Sequence, residues 1–148
     1  MECTCSCGAT RFQTIGETLF RFYCHCTVFQ RLYDAPIGDI IVYRAADVAF
    51  TPPGTVIFDT YRPPPNVQRG KCATCGQPAV TVFAARFLPR LVTVPRQMLR
   101  SDAELPLPQA HGFFDQRVSD AKDPYPKYEG YFRNKIALLK HLWLARRR

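Results

Sequence analysis

The chain has 148 residues, 47% of them hydrophobic, and carries 20 Lys/Arg against 12 Asp/Glu for a net charge of +8. That length suits one domain. No run approaches the roughly 18 apolar residues of a membrane span, and Met1-Glu2-Cys3-Thr4-Cys5 lacks the basic start and apolar run of a signal peptide, so the expectation is a soluble cytoplasmic protein.

The charge is uneven. Residues 131–148 hold Arg133, Lys135, Lys140, Arg146, Arg147 and Arg148 and no acid, whereas residues 1–130 carry 14 basic against 12 acidic side chains. The body is close to neutral. A nucleic acid or an anionic membrane face would have to engage the basic C-terminal end. The favoured reading is a helix docked on the body with a solvated basic end, which also suits the helix dipole.

In chain order, Ala9–Ile15, Leu19–Tyr23 and Ile40–Tyr43 read as strands. Pro52-Pro53-Gly54 reads as a turn. Thr55–Tyr61 reads as a strand by its β-branched and aromatic content. Pro63-Pro64-Pro65 blocks sheet pairing and favours an extended linker. Val67–Arg69 leads into the Cys72/Cys75 turn. Ala79–Ala84 and Leu91–Val94 read as strands, and a short strand is expected around Gly112–Phe114. Residues 132–146 form the one expected helix, with Ile136, Leu139, Leu142 and Trp143 as its apolar stripe. Tyr23, Phe29, Tyr33 and Phe58 are expected in the core.

Seven cysteines remain. An odd number without an export signal argues against a disulfide framework and for metal ligation. Cys5-Ser6-Cys7-Gly8 and Cys72-Ala73-Thr74-Cys75-Gly76 share a form, each ending in Cys-Gly. A metal-binding turn directs backbone N–H groups at the sulfurs, and the bend is easiest where the next residue tolerates positive φ. Gly8 and Gly76 therefore pair these turns with each other. Four thiolates make a closed tetrahedral zinc site, structural in kind, with no vacancy for a substrate. Cys24-His25-Cys26 has no following glycine and supplies two thiolates. An open catalytic zinc needs three protein ligands.

Cys5-x-Cys7-Gly8, Cys24-His25-Cys26 and Cys72-x-x-Cys75-Gly76 stand in the order seen in the glutathione-dependent formaldehyde-activating enzyme family, which includes centromere protein V. The chain resembles that family over roughly residues 3–132. Ala9-Thr10-Arg11-Phe12 looks like its first strand, and Gln30-Arg31 like the segment after its second cluster. His111-Gly112-Phe113-Phe114-Asp115 and Asp123-Pro124-Tyr125-Pro126-Lys127-Tyr128-Glu129-Gly130 look like its C-terminal segments.

The resemblance implies a mainly β, Mss4-like fold of several small coiled antiparallel sheets. It implies a zinc-binding domain over residues 1–131 and a basic helix over 132–148, packed on the domain or extending from it. It implies two zinc ions: a structural one at Cys5, Cys7, Cys72 and Cys75, and a catalytic one to which Cys24 and Cys26 would contribute. The implied activity is that of a carbon–sulfur lyase acting on a glutathione–aldehyde adduct or a similar thiol adduct. The family pattern at the second cluster is Cys-x-Cys-x-x-Cys, and this chain has Phe29 at the third position. Cys3 or His25 would then be the candidate extra ligand. Arg31 could hold a substrate carboxylate through a bidentate fork, and His111 could line the pocket. The competing reading is a non-catalytic zinc-stabilised module that binds protein or nucleic acid.

Overall fold

A computed structural model of the chain describes residues 1–50, 54–61, 66–100 and 102–146. Pro52, Pro53, the Pro63–Pro65 linker, Arg147 and Arg148 lie outside the described residues. The strands are β1 (Glu2–Thr4), β2 (Arg11–Thr14), β3 (Phe20–Cys24), β4 (Gly38–Arg44), β5 (Val48–Phe50), β6 (Val56–Asp59), β7 (Val67–Cys72), β8 (Pro78–Phe83), β9 (Leu91–Pro95) and β10 (His111–Gly112). The α-helices are α1 (Thr27–Tyr33) and α2 (Gly130–Ala145). The protein is thus mainly β, with its strands in two sheets and a C-terminal helix.

The chain divides into two compact units: Met1–Thr18 with Ile41–Glu104, and Leu19–Ile40 with Leu105–Arg148. In the first unit, β1, β2 and β5 form a small antiparallel sheet, with Phe12 opposite both Cys3 and Phe50. β2 alternates exposed and buried residues, the pattern of a sheet wet on one face. The run β4-β9-β8-β7-β6 of the larger sheet completes this unit. Ile41, Val42, Val80, Leu91, Val92 and Val94 are buried there; Ile41 and Val42, like Leu91 and Val92, are adjacent and point to opposite faces, so these strands are covered on both sides. Pairing of β7 with β8 shifts between Gly70 and Lys71. A Cβ on Gly70 would lie 2.4 Å from Val56 Cγ1, so the strand needs glycine there. Cys72 ends this irregular strand and enters the second cysteine turn.

In the second unit, β10 runs parallel to β3, with His111 opposite Tyr23 and Gly112 opposite Cys24. Arg21 on β3 grips Asp39 on β4 with a two-pronged guanidinium fork, at 2.8 and 2.6 Å. Helix α2 packs on β3: His141 stacks on Phe20 with ring centroids 5.4 Å apart. Asn134 of α2 accepts from Phe113 N–H at 3.0 Å and donates to Tyr128 and Gly130 carbonyls, which holds Phe113 at its left-handed φ of 53°.

Three sequence expectations change. β1, β5 and α1 were not foreseen; each is seven residues or shorter and too brief for periodicity to register. Phe58 points outward, 42% exposed, on the β6 edge rather than into the core. The expected apolar stripe of the C-terminal helix is largely on the outside. Ile136, Leu139 and Trp143 are 66%, 51% and 50% exposed, and the buried residues are Ala137 and Leu142. The helix docks through Asn134, Ala137, His141 and Leu142, so of the expected large apolar stripe only Leu142 takes part.

Candidate metal centre

The first unit brings four cysteines together. The Sγ atoms of Cys5, Cys7, Cys72 and Cys75 all lie within 4.8 Å of one another. Cys5 and Cys7 are 3.3 Å apart, Cys5 and Cys72 3.6 Å, and Cys7 and Cys72 3.7 Å. A tetrahedral ion with metal–sulfur bonds of about 2.3 Å separates its sulfurs by about 3.8 Å. The donor set and its spacing therefore fit a zinc-type ion.

The two turns are built alike. Gly8 N–H donates to the Cys5 carbonyl at 2.9 Å, and Gly76 N–H to the Cys72 carbonyl at 2.9 Å. Gly8 and Gly76 have φ of +73° and +71°, the region that side chains disfavour. Cys5 N–H donates to Thr10 O and Cys72 N–H to Gln77 O, closing each loop at its base. Ser6 N–H donates to Gln77 Oε1 at 3.1 Å and so ties one turn to the other.

The thiols are electrostatically unequal. Burial of Cys72 opposes its ionisation, but the Thr10 hydroxyl and the amides of Cys75 and Thr74 prevail and bring its pKa down to about 5. Cys5 is also buried, and the Thr10 N–H, 3.3 Å from its sulfur, helps pull it below the ordinary thiol value. Cys7 receives the Ala9 amide, yet sharing protons with Cys5 and Cys75 pushes it up to about 12. Without a cation, two thiolates thus suppress ionisation of a third. A divalent ion removes that repulsion and makes all four thiolates favourable together. Cys5 and Cys72 are buried while Cys7 and Cys75 face solvent.

The second unit holds Cys24 at the end of β3 and Cys26 immediately before α1, both buried. Phe29 sits three residues after Cys26 in that helix, hence on the same side. It is 7% exposed and packs in one apolar cluster with Cys24, Cys26, Leu32 and Ile40. Its ring would contact a Cβ on Gly38 at 3.4 Å, and it lies 5.4 Å from the Tyr33 ring. The place of a third thiolate is filled by a packed aromatic ring. Among the described residues, no set of three ligand atoms other than the four cysteines gathers within 4.8 Å. Phe29 offers no ligand atom, so the Cys24–Phe29 segment itself supplies two thiols and not the three protein ligands of an open catalytic zinc.

His25 is engaged elsewhere. Its Nε2 lies 2.8 Å from His111 Nδ1, and His111 Nε2 lies 2.9 Å from Asp123 Oδ2. Burial opposes ionisation of Asp123, but the Tyr125 amide and His111 outweigh it and hold the carboxyl below its usual range. The carboxylate only accepts, so His111 Nε2 carries a proton and donates to Asp123. His25 Nδ1 is buried and without a hydrogen-bond partner among the described residues. Burial, followed by the neighbouring His111, depresses the His25 pKa, so the ring is neutral. Asp123 was missed as a functional residue in the sequence. It lies within the family-like segment, but nothing local marks its link to His111.

The remaining candidates separate. Cys3 is fully buried in β1, bridged to Leu99, and burial pushes its thiol up to about 12. Arg31 is exposed in the last turn of α1.

Fold and site together define a small β-protein clamped by two cysteine turns around one metal position. The chain belongs to the glutathione-dependent formaldehyde-activating enzyme family, whose model matches residues 1–116. The crystal structure of a Rhodobacter sphaeroides protein from a structural genomics programme has a similar fold. Its TM-score is 0.56 at 19% identity, over 70% of this chain and 91% of that one. No curated protein matches the sequence.

Proposed function

We propose that zinc occupies the four-cysteine cluster as a structural ion, and that the protein is a carbon–sulfur lyase of its family's type. Its substrate is a thiol–aldehyde adduct such as a glutathione conjugate, held beside Cys24, His25 and Cys26. Cleavage of R–S–CH2–OH breaks the carbon–sulfur bond. The hydroxyl gives up its proton as the carbonyl forms, and the sulfur keeps the bonding pair and is then protonated. The observation that carries the reading is the buried, unpartnered Nδ1 of His25. With His25 Nε2–H donating to His111 Nδ1, this nitrogen is the acceptor for the adduct's O–H, and the contacts to His111 and Asp123 support the placement of the ring. No step is routed through a second zinc, since the Cys24–Phe29 segment does not fit one.

The packed Phe29 ring favours a second reading, a non-catalytic zinc-stabilised binding module. Exchange spectroscopy on glutathione with labelled formaldehyde separates the two. The lyase reading expects adduct interconversion above the spontaneous rate. It also expects loss of that excess, by about 100-fold for a positioned proton acceptor, in His111→Leu. Interconversion at the spontaneous rate in the folded wild-type protein contradicts it and leaves the module.

A further inference from the structure

Helix α2 carries an outer apolar row apart from the side that docks. At about 100° per residue, Phe132, Ile136, Leu139 and Trp143 fall in one arc of about 60°. Their exposures are 78%, 66%, 51% and 50%. Asn134, Ala137, His141 and Ala145 lie on the opposite side and are buried or half-buried. The outer row is therefore not the docking face of the helix. It is flanked on one side by Lys135 and Arg146 and on the other by Arg133 and Lys140, all exposed. No acidic residue occurs from 131 to 148.

We propose that this face of α2 lies on an anionic phospholipid bilayer, its apolar row at the acyl boundary and its flanking cations among the headgroups. A single convex row of aromatic and aliphatic side chains between two cationic rows is the form of an in-plane interfacial helix. The cations on both sides match a negative surface, and their aliphatic stems let them reach headgroups while the row sits deeper. A second copy packed through the same row would bring Arg133, Lys135, Lys140 and Arg146 of each chain together with no acid from the helix to offset them. The helix needs no spanning length, and no helix among the described residues is long and apolar enough to cross a membrane.

Trp143 is the chain's single tryptophan and lies in the row, so its fluorescence reads the face directly. The experiment titrates the full chain with phosphatidylcholine vesicles and with vesicles containing one-third phosphatidylserine. Expected are a blue shift and shielding from an aqueous quencher with the anionic vesicles only, weakened by salt. Lys135→Gln with Lys140→Gln should lower partitioning about 25-fold, from about fivefold per charge near the surface. Ile136→Ser with Leu139→Ser should lower it about tenfold or more. Both pairs replace exposed residues, and unchanged circular dichroism checks the fold. No shift with anionic vesicles overturns the proposal, as does an equal shift with neutral ones. Full binding by the serine pair overturns the apolar contact. A blue shift without vesicles that grows with protein concentration assigns the face to a second copy instead.

Discussion

Cys72 and Phe29 carry the clearest single-residue consequences. Cys72 is buried, its sulfur sits 3.6 Å from Cys5, and its amide-rich turn already favours the thiolate. Binding of a structural zinc is folding free energy, on the order of 10–16 kcal/mol in small zinc domains. Cys72→Ser should therefore unfold the chain, seen as loss of the circular dichroism transition. Cys24→Ser should cost about 1–2 kcal/mol and leave it folded. Phe29→Ala should cost about 3–5 kcal/mol by chemical denaturation, because the ring is packed among Cys24, Cys26, Leu32 and Ile40. If Phe29→Ala proves harmless, the ring is not filling that space. The glycines made the first cluster legible in the sequence: Gly8 and Gly76 sit at positive φ directly after their cysteines. The histidine link was not legible. His111 and Asp123 meet through a turn, and no periodic pattern encodes which ring nitrogen faces which partner.

Among the elements, α2 gave the largest difference between pattern and structure. Its large apolar stripe invited docking through all four members, whereas only Leu142 of them is buried, with Ala137, and His141 stacks on Phe20. His141 is half-buried, and neither ring nitrogen has a hydrogen-bond partner. Burial, then nearby Lys140, lowers its pKa from the ordinary 6.5. The folded state thus binds this proton less readily than the unfolded chain. The stability it contributes is present above about pH 6.5 and is lost as the pH falls towards the lower folded value. His141→Leu should flatten that acid dependence and add about 1 kcal/mol by removing two unsatisfied nitrogens. Denaturation curves at pH 5.5 and 7.5 check both. An unchanged pH dependence in His141→Leu would place the titration elsewhere. Strands β2, β3, β4, β8 and β9 were visible in the sequence to within a few residues, because alternating or continuous apolar runs mark them. Helix α1 was not, since seven residues with β-branched Val28 and aromatic Phe29 and Tyr33 carry a mixed local preference.

For the whole molecule, a mainly β fold with a C-terminal helix and a four-cysteine cluster was legible, because the strand-like runs and the ordered cysteine turns encode it. The partition into two units interleaved along the chain was not, because it depends on which distant segments pair. The clamp joins the N-terminal turn to a turn 65 residues later. A strong chelator should therefore lower the thermal midpoint steeply, and zinc should restore it; insensitivity to chelation would mean that the cores hold the fold unaided. The central claim is that the metal belongs to the clamp and not to Cys24 and Cys26. Zinc content per folded chain, measured on the wild type and on Cys24→Ser, tests it most directly. The account predicts one ion in each. Two ions in the wild type falling to one in Cys24→Ser would contradict it.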